Sequence, residues 1–446
     1  MLSGVHAVTR TTETDVEKPG LASARTERAR DGGTKTALAL ILAGGRGSRL
    51  EQLTAWRAKP AVPFGGKFRV IDFGLSNCVN SGIRRIGVCT QYKAQSLIRH
   101  VQRGWSFLDG RFQEFVELLP AQQRMHPSWY KGTADAVLQN LDILEQHGPR
   151  HVLILAGDHV YKMNYGTMLD EHIARGAQMS VACIDIPLDA ARSLGVMTVD
   201  DAGRIVGFEE KPEAPAPDPT RPGRALASMG IYVFDAPFLY EELLRDADDA
   251  ASTHDFGKDI IPSLVRRGAV VWAHDFAKSC VNMSAGRPYW RDVGTVDAYW
   301  EANIALTDVV PELNLYDASW PIWTYQEQLP PAKFVYDQNG RRGIATDSLV
   351  SGGCIISGSN VHRSLLFSAV HVHSYCSLEE SVILPNVDIG RNVVLKRTVV
   401  DKYCRLPPGL IVGVDREQDG GRFHVTEHGI TLITPEMLGQ QIHHQR

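Results

Sequence analysis

The sequence predicts an α/β domain built on a mostly parallel sheet, followed by a smaller parallel β-helix. Three observations carry this. Short apolar runs alternate with helical stretches through the middle of the chain, and that alternation points to a parallel sheet covered on both faces. The first of these runs opens into a glycine-rich basic turn, Gly44-Gly45-Arg46-Gly47-Ser48-Arg49. Toward the C-terminal end, Val387, Val393 and Val399 recur every six residues, as do Ile383, Ile389 and Leu395. A six-residue period fits a β-helix whose rungs each add one flat face to a stacked core.

Taken in order, residues 1–35 are polar, lack the apolar core of a signal peptide and read as a flexible extension. Residues 36–308 form the α/β domain. Its strands fall at Ala37–Leu42, 86–90, 152–155, 179–184 and 231–234. Helices lie between them at 134–146 and 165–175, and the proline-rich stretch 211–224 reads as an exposed loop. Residues 309–346 read as a connection, and 347–446 as the β-helix. An antiparallel sandwich is the alternative for the last segment, but "NVDIGRNVVLKRTVV" offers no clear hairpin turn.

Composition narrows the function classes. Hydrophobic residues make up 43% and charged residues 22%, the balance of an ordinary globular chain. The formal net charge of −4 and the lack of a long basic block argue against a general nucleic-acid binder, while leaving room for a local phosphate pocket. Seven scattered cysteines, odd in number and without a C-x-x-C, read as reduced core thiols of a cytoplasmic protein. No apolar run is long enough to span a bilayer.

The glycine turn suggests phosphate chemistry. Backbone N–H groups at the carboxyl end of a parallel strand approach a phosphate closely when side chains are small. Arg46 and Arg49 add charge and forked donors, and Lys59 before Pro60 offers another cation. No G-K-[ST] follows, so the turn is not a Walker A loop, and it lacks the G-x-G-x-x-G spacing. A plain tight turn is the bland reading. Asp158 in "LAGDH" ends an apolar run, where sheet ligands bind; its carboxylate can hold Mg2+ or cap a helix. Asp292 in "YWRDVGT" suits a metal site or a surface turn. Glu210 and Lys211 before a proline suit a ligand or a solvated pair. Core packing is the competing reading for Tyr130 and Trp290. Gln91, Gln122 and Gln123 offer amides to a purine edge. His371 and His373 share one strand face, and without further ligands they read as surface residues.

The segments around these residues are more specific together than singly. "LAGGRGSRLEQLTAWRAKPAVPFGGKFRVIDF", "WYKGTADAV", "LAGDHVYKMNY", "GFEEKP", "ASMGIYVF", "HDFGKDIIP", "YWRDVGT" and "SLVSGGCIISGS" occur in that order. From about residue 37 to 436 the chain resembles bacterial ADP-glucose pyrophosphorylases (glucose-1-phosphate adenylyltransferases) of the sugar-nucleotide pyrophosphorylase superfamily. The resemblance implies a Rossmann-like nucleotidyltransferase domain and a left-handed β-helix used for assembly and regulation. It implies that ATP and α-D-glucose 1-phosphate give ADP-glucose and diphosphate with Mg2+, for glycogen synthesis, in a cytoplasmic homotetramer controlled by metabolite effectors. It assigns catalysis to Asp158, Arg46, Lys59 and Asp292, with Asp158 and Asp292 as metal ligands. Glucose 1-phosphate is then met by Tyr130, Gly195, Glu210, Lys211, Ser228, Tyr232, Asp255, Phe256 and Trp290. ATP is met by Gly44, Gly45, Arg46, Arg49, Lys59, Gln91, Gln122, Gln123 and Gly132. A regulatory site falls near Trp56, Arg57 and Arg69. In relatives activated by fructose 1,6-bisphosphate a basic residue stands between L-T and K-P, where this chain has Trp56. The position of an AMP-binding arginine in some relatives reads Glu145-Gln146.

Three rivals share parts of this pattern. A pyrophosphorylase for another sugar or base would keep the turn and the carboxylates, but "YWRDVGT" and "HDFGKDIIP" favour ADP-glucose. A non-catalytic regulatory subunit would not need Arg46, Lys59, Asp158, Lys211 and Asp292 together. A hexapeptide acyltransferase fusion has only His371 and His373 as obvious bases.

Overall fold

The computed structural model describes residues 33–441 apart from Arg46, residues 122–128, Asn282, Ala285 and Asn339. Its centre is a nine-stranded sheet. The strands are β1 (Ala37–Leu42), β2 (Arg85–Thr90), β3 (Phe115–Pro120), β4 (His151–Ala156), β5 (Met179–Pro187), β6 (Gly195–Val199), β7 (Ile205–Glu210), β8 (Arg224–Asp235) and β9 (Val271–Asp275). The spatial order is β7-β6-β8-β4-β1-β2-β3, with β5 beside β8 and β9 beside β5. Strands β4, β1, β2 and β3 are mutually parallel. The long β8 runs antiparallel to β4, β5 and β6, so the sheet is mixed.

Alternation along β1 shows why the sheet sits in the middle. Ala37, Ala39 and Ile41 belong to one core, with Ile71, Leu75, Met168 and Leu169 from the covering helices. Leu38 and Leu40 belong to the other, with Val137, Leu239, Leu243 and Leu264. Residues on both faces are lost from water, which is why β1 reads as an unbroken apolar run. Each such Leu or Ile contributes roughly 1.5–3 kcal/mol. The helix expected over 134–146 is two helices, Thr133–Leu138 and Leu141–His147. Between them Asn140 leaves helical geometry at φ −115°, and its amide donates to Ala136 O at 2.8 Å and Tyr130 Oη at 3.0 Å. A side chain that serves the backbone this way competes with the helix ladder.

The second domain is a three-sided parallel β-helix of the left-handed hexapeptide class. One face stacks Leu349–Val350, Leu365–Leu366, Val382–Ile383, Thr398–Val400 and Thr431–Ile433. The six residues that set the period are all at most 1% exposed. Stacking begins at Lys333–Val335, which pairs with Ile355–Ser357 inside the stretch expected as a connection. Ahead of it, the chain lies along the helix Val70–Asn80: Trp320 Nε1 donates to Asn77 Oδ1 and Thr324 Oγ1 to Asp72 Oδ2. The two domains share an apolar core that includes Phe64, Tyr299, Phe367, Val382 and Leu432. Six of the seven cysteines are buried. No helix among the described residues is long and apolar enough to cross a membrane.

Candidate active site

Strands β1 and β4 are parallel neighbours, with Leu42 in register with Ala156. Their carboxyl ends therefore release the glycine turn and the Asp158 turn side by side. Gly157 N donates to Leu42 O at 3.1 Å, and a Cβ there would lie 2.9 Å from that oxygen. This is the crevice where open α/β sheets bind ligands. It holds a cavity of about 430 Å³ whose lining includes Gly44, Gly45, Gln91, Tyr130, Gly132, Asp158, Glu210, Tyr232, Asp255 and Phe256. A recess of about 170 Å³ shares Gly45 and Asp158 and adds Gly47, Arg49, Lys59 and Gly294.

Local strand pairing assembles the charged centre. His159–Tyr161 pairs antiparallel with Trp290–Asp292, with Asp292 opposite His159, so residues far apart in sequence bring two carboxylates together. Lys59, in a short turn of 3₁₀ helix, is buried between them. Its Nζ lies 2.8 Å from Asp158 Oδ2 and 2.7 Å from Asp292 Oδ1. Arg49 reaches Asp292 Oδ2 at 3.4 Å, and His159 Nε2 lies 3.6 Å from Asp158 Oδ1. Burial opposes the charge on Lys59, but the two carboxylates outweigh it and raise its pKa. Burial likewise opposes ionisation of Asp158, yet His159, Lys59 and Arg49 bring its pKa down to about 2. Gly294 keeps this centre compact, because a Cβ would stand 2.9 Å from Asp292 Oδ1 and 3.0 Å from Arg49 Nη2. Asp158, His159 and Asp292 each offer a ligand atom, all within 4.8 Å of one another. Two carboxylates are hard oxygen donors and fit Mg2+. Neither aspartate caps a helix here, although that reading of Asp158 was open in the sequence.

The far side of the cavity is polar and tightly built. Glu210 ends β7 opposite Gly195, where a Cβ would lie 2.8 Å from Glu210 Oε2. Burial raises the Glu210 pKa, and the Lys211 ammonium, 3.3 Å from Oε1, offsets part of that. Lys211 has φ 50°, a region non-glycine residues rarely enter, and its N–H is held by Leu194 O at 3.0 Å. Its side chain is 59% exposed, with the ammonium held beside Glu210. Tyr232 and Phe256 pack with ring centroids 5.7 Å apart. Ser228 is buried and its Oγ accepts from Gly230 N at 3.3 Å, where β8 shifts register. Asp255 caps the turn Phe256–Ile260, accepting from Gly257 N, Lys258 N and Thr133 Oγ1. Its carboxylate thus shapes the wall. Tyr130 lines the opposite wall, where its carbonyl accepts from Gln91 Nε2 at 3.3 Å.

Other sequence candidates fall elsewhere. Trp290 packs edge-on against His159, at 4.8 Å between centroids, and faces a separate cavity. Arg46, Gln122 and Gln123 lie outside the described residues. Arg57 is buried and bidentate to Asp401 at 2.8 and 3.1 Å, joining the two domains. Arg69 donates to Ala61 O and Ser96 O, and burial lowers its pKa to about 10, still charged at neutral pH. Trp56 is exposed and its Nε1 donates to Glu436 Oε1 at 2.8 Å. Sequence reasoning missed His159, Thr133 and Gly257. The first adjoins Asp158 in the sequence, a signal that was present; the others depend on contacts between distant segments.

A glycine turn and a lysine-bridged pair of carboxylates at the strand ends define a nucleotidyl transferase, here joined to a hexapeptide β-helix. Residues 38–309 match the nucleotidyl transferase family and residues 330–433 the GlmU-like C-terminal hexapeptide family. Within that class the chain is 68% identical over 413 residues to the glucose-1-phosphate adenylyltransferase of Nitrosospira multiformis, covering 93% of this chain and 97% of that protein. The enzymes of the same name from Nitrosomonas europaea and Methylobacillus flagellatus are each 67% identical, over 93% of this chain and 96% of theirs. The chain belongs to the glucose-1-phosphate adenylyltransferase family.

Proposed function

We propose that the protein joins ATP and α-D-glucose 1-phosphate to give ADP-glucose and diphosphate. A sugar-phosphate oxygen attacks the α-phosphorus of ATP and diphosphate leaves in line. The observation that carries this is Lys59 held between Asp158 and Asp292 beside the glycine turn. Displacement at a phosphate needs positioned cations and open backbone donors, with no covalent enzyme nucleophile. Gly44 and Gly45 let the backbone approach the triphosphate, and Arg46, Arg49 and Lys59 neutralise it. Gly132 and Gln91 belong to the nucleotide side of the cavity, with Gln122 and Gln123 as further amides for adenine. Asp158 and Asp292 would hold Mg2+, which supplies charge neutralisation on the phosphates when bound. Lys211 neutralises the sugar phosphate, and Glu210 accepts from sugar hydroxyls. Gly195, Ser228, Tyr232, Asp255 and Phe256 complete that side, Tyr130 meets the sugar from the opposite wall, and Trp290 supports the carboxylate centre through His159.

The same reading makes the protein a cytoplasmic homotetramer that supplies glycogen synthesis under metabolite control. The stacked β-helix supports the assembly. The test is diphosphate release across a panel of nucleotides and sugar phosphates with Mg2+. ATP with glucose 1-phosphate is expected to be the best pair. A clear preference for another nucleotide or sugar phosphate would overturn the assignment.

A further inference from the structure

A second cluster lies on the β-helix, outside the catalytic domain. His371 and His373 stand two apart, and the ladder continues through both: His371–Val372 pairs with Asp388–Ile389, and His373 N donates to Ile389 O at 3.0 Å. Both imidazoles therefore leave the same face. An H-x-H pair alone supplies only two ligands. The next rung supplies a third, because His371 is in register with Asp388. His373 Nε2 lies 3.0 Å and His371 Nδ1 3.6 Å from Asp388 Oδ1. The two rings are 4.0 Å apart between centroids. One atom from each residue lies within 4.8 Å of the others.

These separations suit a coordinated ion. A tetrahedral ion with bonds of about 2.0–2.1 Å holds its ligand atoms roughly 3.3–3.4 Å apart. The two distances to Asp388 bracket that value, so closing on an ion needs only small side-chain movements. All three side chains are partly exposed, and an ion has access. The donor set is two nitrogens and one carboxylate oxygen. Imidazole favours zinc, nickel and copper, whereas Mg2+ prefers oxygen alone. We propose that His371, His373 and Asp388 bind one divalent transition-metal ion of the zinc–nickel–copper group, with water completing its coordination. The ion cross-links two successive rungs of the β-helix and plays no part in the transfer chemistry.

The test titrates the full-length, chelator-stripped protein with Zn2+ by calorimetry and with Cu2+ by electron paramagnetic resonance. The same titrations are run on His371→Gln/His373→Gln and on Asp388→Asn. The Asp158–His159–Asp292 cluster is common to all three proteins, so the site is read as a difference. The unmodified protein is expected to take one more Zn2+ per chain than the double variant. Its Cu2+ spectrum should carry splitting from two nitrogens that the double variant lacks. Asp388→Asn should bind at least about tenfold more weakly. Zn2+ should raise the melting temperature of the unmodified protein more than that of the double variant, while metal-stripped activity restored with Mg2+ stays equal in both. Equal Zn2+ stoichiometry and affinity in the unmodified protein and the double variant would overturn the proposal. So would loss of the extra ion in His443→Gln/His444→Gln alone, since those adjacent histidines are the rival within this sequence.

Discussion

Lys59 occupies the position between two carboxylates that a metal cation would also favour, and its neighbours explain how the centre tolerates so much charge. Asp158→Asn keeps the volume and removes one anion, so Lys59 retains Asp292 and the fold should persist. The expected result is a fall in kcat of at least about a hundredfold with an unchanged circular dichroism spectrum. Near-full activity with unaltered Mg2+ dependence would remove Asp158 from the mechanism. Lys211→Gln removes a cation from one ligand only. Its KM for glucose 1-phosphate should rise about 10–100-fold with little change for ATP, the loss of one charge-assisted hydrogen bond; equal effects on both substrates would place Lys211 elsewhere. A third residue governs stability in acid. His172 is 1% exposed, with Nδ1 2.9 Å from Ser180 Oγ and the His151 ring edge-on to it. Burial first, then His151, lowers its pKa to about 3. Below the ordinary value near 6.5, the unfolded chain takes up a proton that the folded chain refuses, so stability falls with pH. Between pH 6.5 and 5 the loss from this group is about 2 kcal/mol. Denaturant titrations of His172→Gln should show a pH slope shallower by that amount; an identical slope would exclude His172 as its source. At this scale the sequence was informative wherever chemistry demands a residue type. Lys59, Asp158 and Asp292 stood out as a cation and carboxylates beside glycines. The supporting role of Trp290 and the capping role of Asp255 did not, because each depends on a strand or turn from elsewhere in the chain.

Elements explain why glycines matter here for more than one reason. Gly47 has φ 63° and turns the chain in a left-handed conformation. Gly132 has an extended φ of −150°, which any residue can adopt, yet a Cβ there would stand 2.2 Å from His254 O. Its requirement is therefore space. The start of Thr133–Leu138 is sewn to the 254 turn, with Ala134 N donating to His254 O at 2.8 Å. Gly132→Ala must part these segments along the cavity wall, and a cost of about 1–3 kcal/mol is expected. Thermal melts should show the loss, and KM for both substrates should rise. A normal melting temperature and normal kinetics would mean that the two segments move apart freely. The same scale separates what was legible from what was not. The central strands β1 and β4 and the hexapeptide rungs were readable, because burial on both faces or a strict period leaves a pattern in the sequence. Strands β3, β6 and β9 were not. β3, "FVELLP", is the sheet edge and only Leu119 in it is buried, so no clear apolar run marks it. The break at Asn140 was hidden because "LQNLDIL" carries a helical pattern, and its cause is a side-chain hydrogen bond that only the fold supplies.

In the whole molecule, the charges at the junction between domains argue against an anionic activator binding there. Arg57 is the basic residue nearest Trp56 in sequence, but both its terminal nitrogens are bonded to Asp401, with the pair almost fully buried. Withdrawing it toward a phosphate would leave Asp401 charged and uncompensated, at a cost of about 3–5 kcal/mol. Trp56 brings no charge, and its indole N–H is directed to Glu436, a carboxylate that repels phosphate. The helix Leu141–His147 ends in Glu145-Gln146-His147, with no arginine for a nucleotide phosphate. Fructose 1,6-bisphosphate is therefore expected to activate weakly or not at all, and AMP to inhibit weakly, while the catalytic centre is intact. Trp56→Lys adds a cation that offsets the Glu436 carboxylate, so this substitution should increase sensitivity to the bisphosphate only if a second phosphate contact survives nearby. Arg57→Ala should lower the melting temperature without changing the effector response. Dose–response curves for the three proteins distinguish these cases. Strong activation of the unmodified protein at low bisphosphate concentration, unchanged in Trp56→Ala, would show that the activator binds away from this junction and that its charge balance does not set the response.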